Sequence, residues 1–274
     1  MAISKPDFDY IAQLARSQAA IVLEPGKEYL VENRLAPLAE REGFASLELF
    51  IGKMRSQVVV NGLHHKTIDA LTTNETFFFR DFHPFEALRK HILPKLIEQR
   101  AAVRQLRIWS AACSTGQEPY TLAMLICEHF PQLRDWKITI HATDLSPTVL
   151  KTAEEGSYSQ FEVNRGLPAA YLIKFFDKQN DRWVIKDEIK KMVQFRPMNF
   201  VQPWPLMPPF DLVFIRNVMI YFDVETKKFI LKKIRACMMP HSYLFLGTAE
   251  TTLNLDPGYK PESIDKTTAY RIVT

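Results

Sequence analysis

Apolar residues in the first ~75 positions recur at helical spacing, and beyond them the texture changes to short apolar runs separated by helical stretches. Ile11, Leu14, Ala15 and Ala19 fall on one helix face, as do Tyr29, Leu30, Leu35 and Leu38. A third helical pattern runs from Leu47 through Ile51 to Met54, and a fourth from Val58 to Leu71, ending in polar Thr72-Thr73-Asn74. Gly26 and Gly43 punctuate the segment. Residues 1–75 therefore predict a helical N-terminal domain.

From about residue 76 the apolar runs read as strands. Leu106–Ser110 is a buried strand followed by a helix over Pro119–His129, Lys137–Ala142 is a second strand, Asp211–Ile215 a third and Tyr243–Gly247 a fourth. The closing Ala269–Thr274 is short and β-prone, suited to a late edge strand. Such alternation predicts a doubly wound α/β domain over residues 76–274, with a mostly parallel sheet between helices. Between residues 156 and 191 the pattern loses its regularity, which suggests a small inserted subdomain.

Composition narrows the function classes. Hydrophobic residues at 47% and charged residues at 24% fit a folded globular chain and exclude disorder. Met1–Tyr10 carries Asp7 and Asp9 and lacks the apolar core of a signal peptide. Phe210–Phe222, interrupted by Asp211, Arg216 and Asn217, is too short and too polar to span a bilayer, so a cytoplasmic location is expected. Cys113, Cys127 and Cys237 form no C-x-x-C pair, and the seven histidines include no H-x-x-x-H, so free thiols and no metal are expected. A net charge of +4, with no aromatic-basic stretch, gives no reason to expect a nucleic-acid partner.

In open α/β sheets ligands bind beyond the carboxyl ends of the strands, which selects three segments. After the first strand come Ser110-Ala111-Ala112-Cys113-Ser114-Thr115-Gly116-Gln117-Glu118-Pro119, small residues leading into a helix. A single glycine excludes the dinucleotide fingerprint. Glu118 is a carboxylate where a phosphate loop would avoid one, and it suits an ammonium, although it also simply favours a helix N-terminus. Asp144, just past the second strand, can accept from both hydroxyls of a ribose, or begin a helix with Ser146 and Pro147. Together the two carboxylates point to an adenosine ligand with an amino group and no phosphates, a description that S-adenosylmethionine fits. Arg216 and Asn217 follow the third strand at the same edge, as ligand contacts or as a loop-closing pair.

Four blocks of the chain resemble the chemotaxis receptor glutamate methyltransferases, the CheR family. They are Thr72-Thr73-Asn74-Glu75-Thr76-Phe77-Phe78-Phe79-Arg80, Trp109–Tyr120, Ala142-Thr143-Asp144, and Phe214-Ile215-Arg216-Asn217-Val218-Met219-Ile220-Tyr221-Phe222. Their order and spacing match over nearly the whole chain. The resemblance implies a class I S-adenosylmethionine-dependent methyltransferase with a small helical N-terminal domain and a small inserted β-subdomain. It implies an enzyme that forms glutamyl methyl esters on chemotaxis receptors.

Residue by residue, the resemblance gives Asn74, Thr76 and Arg80 to the cofactor and the methyl-transfer centre. It gives Glu118 to the cofactor's amino end, Asp144 to its ribose, and Asn199 and Phe200 to its adenine. Arg216 and Asn217 match the polar pair after the later strand, and Tyr221 the tyrosine near the transferred methyl. A glutamate carboxylate is already ionised near pH 7 and needs no general base, so the chemistry asks chiefly for alignment. Arg80 and Tyr221 suit that role, with Arg216 as a second candidate arginine, and Cys113 is read as a small loop residue. The acceptor side is expected to be the cytoplasmic methylation helices of the receptors. Lys27, Arg34 and Arg41, seven residues apart, would offer them one basic face, among neighbouring glutamates that could equally pair with it.

Some relatives grip a flexible receptor C-terminal tether with a glycine-containing loop of the insert. Phe176–Ile185 here has no glycine, so this insert is expected not to bind the tether. Gln117 stands where many relatives carry a second acid, and Glu118 remains. Acceptors other than receptors, or a non-catalytic cofactor sensor, are the alternatives that the residues alone leave open.

Overall fold

The computed structural model describes residues 3–273, so Met1 and Ala2 of the N-terminal decapeptide and Thr274 of the expected last strand lie outside it. The described residues form two compact units. The first holds the chain up to Thr73 together with Asn199–Pro203 and Tyr221–Thr226; the second holds Asn74–Met198, Trp204–Ile220 and the chain from Lys227 onward.

The first unit contains α1 (Lys5–Ala19), α2 (Glu28–Arg41), α3 (Leu47–Arg55) and α4 (Gly62–Leu71). A side-chain cap starts three of the four helices that the periodicity predicts, α2 having none. Ser4 caps α1 by accepting from the Asp7 amide, Ser46 caps α3 through Leu49, and Asn61 makes a reciprocal box with His64 at α4. The box sets where α4 begins. The apolar run from Val58 is therefore not helical at its start, and Val58 and Val59 stand exposed ahead of it. His64 is buried, its second nitrogen 3.0 Å from the Tyr10 hydroxyl, so His64 serves the helix start, while His65 is exposed. The two short later segments belong here through their bonds: Asn199 Nδ2 donates to Gln18 O (2.6 Å), and Val22 N to Tyr221 O (3.0 Å). Arg34 donates to Leu71 O and to Thr73 Oγ1, and Lys27 pairs with Glu24, so two of the three evenly spaced cations already hold partners of this unit.

The second unit is an α/β sandwich. α5 (His83–Ala87) continues through a π-helical turn, Leu88–Ile92, into α6 (Leu93–Arg100). There follow β1 (Gln105–Ala111), α7 (Gln117–His129), β2 (Lys137–Asp144) and α8 (Pro147–Glu155). The insert comprises β3 (Ser157–Ser159), α9 (Gln160–Asn164), α10 (Ala169–Phe175), β4 (Phe176–Gln179), β5 (Arg182–Ile185) and α11 (Asp187–Lys190). The sheet resumes with β6 (Val193–Pro197), β7 (Phe210–Ile215), then α12 (Val224–Ala236), β8 (Met238–Leu246), β9 (Tyr259–Ile264) and β10 (Thr267–Ile272).

The main sheet has the order β6-β2-β1-β7-β8-β10-β9, parallel except where β10 pairs antiparallel with both neighbours. This is the class I methyltransferase sheet, with the chain running outward from β1 to β6 and then returning to β7. The order reverses between β1 and β7, which places a ligand crevice at their carboxyl ends. The terminal strand differs from expectation: β10 is interior and β9 takes the edge. The burial of β10, with Ala269 and Tyr270 buried and the four residues around them half-buried, suits either place, and only the pairing decides. The insert forms its own antiparallel sheet, β3-β5-β4, with Asn180 left-handed (φ 55°) in the β4–β5 turn.

All six residues of β7 are buried, as a central parallel strand demands. Phe85 stacks on Phe214 and Phe214 on Phe245, at 5.8 and 4.7 Å between ring centres. Each such buried ring contributes about 1.5–3 kcal/mol. This core holds rigid the strand ends on which the site is built.

Candidate active site

The turn after β1 brings backbone close to the crevice. Ala112, Ser114 and Gly116 all take positive φ (58°, 50° and 93°), so three of five consecutive residues are left-handed. Each non-glycine one costs about 1 kcal/mol. Gly116 has no alternative, because a Cβ there would lie 2.9 Å from that of Ala153 and 3.1 Å from the Tyr158 hydroxyl. That hydroxyl donates to Thr115 O (2.7 Å) and ties the turn to the insert. Cys113 is buried in the turn, and burial together with the Asp144 and Glu118 carboxylates raises its thiol pKa, so it is no nucleophile.

Asp144 ends β2 and is buried. Its oxygens accept from Ser114 N (2.8 Å) and Ser146 N (3.0 Å), while the Ser146 hydroxyl, not Asp144, caps α8. The carboxylate thus clamps the β1 turn to the β2 end.

Glu118 lies in the first turn of α7. One oxygen accepts from Ser110 Oγ (2.8 Å) and the other from Arg216 Nη1 (3.0 Å). Arg216, directly after β7, is almost fully enclosed, its side chain 2% exposed. Its Nη2 donates to Asp81 Oδ2 (2.6 Å) and to Arg80 O (2.9 Å). One guanidinium therefore joins the ends of β1 and β7 to the turn Phe79–Phe82. That turn is strained: Phe79, Asp81 and Phe82 have φ of 52°, 67° and 49°. Such backbone persists only where its surroundings enforce it, and it concentrates at functional sites.

Arg80 itself donates to Glu75 O (2.8 Å) and lies over the Phe77 ring at 5.6 Å. It pairs with neither Asp81 nor Glu86, since Asp81 is held by Arg216 and Glu86 by Arg89 and Lys90. Arg165 of the insert covers the other ring contact of Phe77 (4.5 Å) and pairs with Glu75, whose carboxyl it holds below the usual range. Asn74 receives the Ser114 hydroxyl on its carbonyl (2.8 Å). Thr76 is half-buried in the same segment.

Asn217 is left-handed (φ 60°), and the turn it begins is held by Glu250, which accepts from four backbone amides, those of Asn217, Val218, Met219 and Gly247, at 2.7–2.9 Å. Arg216 Nε and Asn217 Oδ1 are buried with no partner among the described residues, a donor and an acceptor left over at the crevice. The structure thus brings Asn74, Arg80, Glu118, Asp144, Arg216 and Asn217 to neighbouring loops of the second unit. Asn199, Phe200 and Tyr221 are described with the first unit, where Phe200 meets Phe222 edge to face at 6.5 Å. Ser110, which opens the small-residue segment at the end of β1, joins the network through Glu118. Asp81 and Glu250 complete it although no sequence signal marked those two as site residues; Asp81 adjoins Arg80, which is the one hint available.

Two family models cover this architecture: the CheR methyltransferase SAM binding domain matches residues 74–267, and the CheR methyltransferase all-alpha domain matches residues 6–72. The chain belongs to the CheR methyltransferase family. It is 41% identical, over 95% of both chains, to chemotaxis protein methyltransferase 1 of Pseudomonas aeruginosa. It is 39% identical, again over 95% of both, to chemotaxis protein methyltransferase Cher2 of Pseudomonas putida. With the chemotaxis protein methyltransferase of Borreliella burgdorferi it shares 36% identity over 91% of this chain and 89% of that one. This CheR-family methyltransferase uses S-adenosylmethionine. The donor set fits that cofactor: carboxylates stand at two adjacent strand ends, each Glu118 oxygen keeps a lone pair beyond its one bond, and no glycine-rich phosphate cradle is present. Among the described residues no helix is long and apolar enough to cross a membrane, and no cluster of three or more His, Cys, Asp or Glu could hold a metal.

Proposed function

We propose that the chain methylates glutamate side chains of chemotaxis receptors, giving glutamyl methyl esters and S-adenosylhomocysteine. The observation that carries the site reading is the Glu118–Arg216–Asp81 network, which ties the carboxylate suited to the cofactor's ammonium to the turn bearing Arg80. Glu118 would hold the amino end and Asp144 the ribose hydroxyls, with Asn74, Thr76 and Asn217 lining the same crevice. Asn199 and Phe200 at the adenine, and Tyr221 near the transferred methyl, are assigned on the resemblance alone.

When bound, the sulfonium supplies an activated methyl that needs no further electrophilic help. Arg80 then orients the acceptor carboxylate through one oxygen and leaves the other to attack. Its present partner is a single backbone carbonyl, so an arriving carboxylate displaces only a weak bond. Arg216 is spoken for by three acceptors, and its role in this reading is to hold Glu118 and the Arg80 turn rather than to touch the acceptor. The partners are the cytoplasmic methylation helices, and the glycine-free β4–β5 turn is read as not gripping a receptor tether.

The test is methyl-labelled S-adenosylmethionine with membranes carrying chemoreceptors, followed by release of label as methanol under base. Base-labile label in receptor bands, reduced at least about 100-fold by Arg80→Ala, is the expected outcome. Binding of S-adenosylhomocysteine without receptor labelling would replace this reading with another acceptor or a cofactor sensor.

A further inference from the structure

The crevice contains an imbalance of charge. Arg216 contributes one positive charge and faces two carboxylates, Glu118 at 3.0 Å and Asp81 at 2.6 Å. The side chains are 2%, 12% and 28% exposed, so water reaches the two carboxylates only in part and leaves the excess negative charge incompletely compensated. Were Arg216 to pair with Glu118 alone, the pair would be neutral, and an incoming ammonium would compete with a guanidinium for one carboxylate. Asp81 changes this. It takes the shorter of the two contacts to Arg216 and leaves Glu118 with charge to offer.

We propose that Asp81 is a positioning residue that gives the Glu118 pocket its selectivity for a ligand bearing an ammonium, and links filling of that pocket to the turn carrying Arg80. This rests on the cofactor reading above. The bound ammonium brings the cluster of Arg216, Glu118 and Asp81 to neutrality. The link to the turn is geometric: Arg216 Nη2 binds the Asp81 carboxylate and the Arg80 carbonyl at once. Both groups lie in the left-handed stretch Phe79–Phe82, so a ligand that draws on Glu118 shifts the load that Arg216 places on that stretch.

Two probes separate this role from general support of the fold. S-adenosylhomocysteine carries the amino-acid end, and 5′-methylthioadenosine shares its adenosine and thioether but lacks that end. Calorimetric titration of wild type and Asp81→Asn is expected to show S-adenosylhomocysteine weakened by about tenfold or more, with methylthioadenosine changed by less than about twofold. Asp81→Ser removes the same charge and serves as the second variant if Asp81→Asn does not fold. Equal weakening of both probes, or no weakening of either, overturns the proposal. Wild-type protein that binds neither probe would overturn the cofactor reading beneath it.

Discussion

The two ends of β7 carry buried ionic clusters of opposite character. At its start, Asp211 is 1% exposed, accepts from Arg107 N (2.8 Å) and His241 Nε2 (2.9 Å), and lies 3.1 Å from Arg100 Nε, which itself donates to Gln105 O (3.2 Å). That cluster is saturated. Just past the other end, Arg216 faces two carboxylates, and its Nε and the neighbouring Asn217 Oδ1 have no partner among the described residues. The same strand thus ends in a closed joint on one side and an open one on the other. Buried polar groups are normally satisfied, and the unsatisfied end is the one at which the proposed cofactor site lies.

The largest effect should come from breaking the saturated end. Asp211→Ala leaves the His241 ring and the Arg107 amide without their acceptor and the buried Arg100 guanidinium without its counter-charge, and urea unfolding should show a loss of about 3–5 kcal/mol. S-adenosylhomocysteine affinity of the molecules still folded should stay unchanged; a matching loss of affinity would mean the two ends are not independent. Arg216→Met is the converse. Asp81 and Glu118 are partly reached by water, so stability should fall by only about 2–3 kcal/mol. Methyl transfer, measured as kcat/KM, should fall by about 100-fold or more, since the Arg80 turn loses its anchor.

The smallest effect sets the scale at the surface. Arg89 and then Lys90 hold the Glu86 carboxyl down to about 2, below its ordinary 4.5. A carboxylate depressed on folding contributes stability that is present above about pH 4.5 and is lost as pH falls towards 2. Glu86→Gln should therefore flatten the acid limb of the stability curve in that window, by about 1 kcal/mol or less for so open a pair. A steeper change would place this surface pair on the same footing as the clusters at β7.

The contrast also explains what the sequence could disclose. β7 is buried throughout and the later parts of β1 and β8 are buried on both faces, so they read as apolar runs. β2, half-exposed at its start, is marked instead by Ile138, Ile140 and Ala142 between polar residues. β6 and β9 are edges; Tyr259–Ile264 includes Lys260, Pro261 and Glu262, and nothing in its pattern announces a strand. Glu118, Asp144, Arg216 and Asn217 were legible because each follows a strand or the turn after it, where fold rules direct attention. Asp81 and Glu250 act through partners 135 and 31–33 residues away, and only folding brings those together. The apolar run from Val58 points to an earlier start for α4 than Gly62, because the Asn61 box, and not the run before it, sets where the helix begins.

The place of β10 bears on how the molecule is made. Strands emerge from the ribosome in chain order, yet β10, the last of the described strands to be synthesised, fills a slot between β8 and β9. Until residues 267–272 are available, β8 presents a bare edge and β9 has no neighbour to pair with. The nascent chain can build the β6-β2-β1-β7-β8 portion early, but that portion waits with an adhesive margin. Closure of the sheet therefore waits for β9 and β10, and until they are made the open margin of β8 is exposed to wrong pairing.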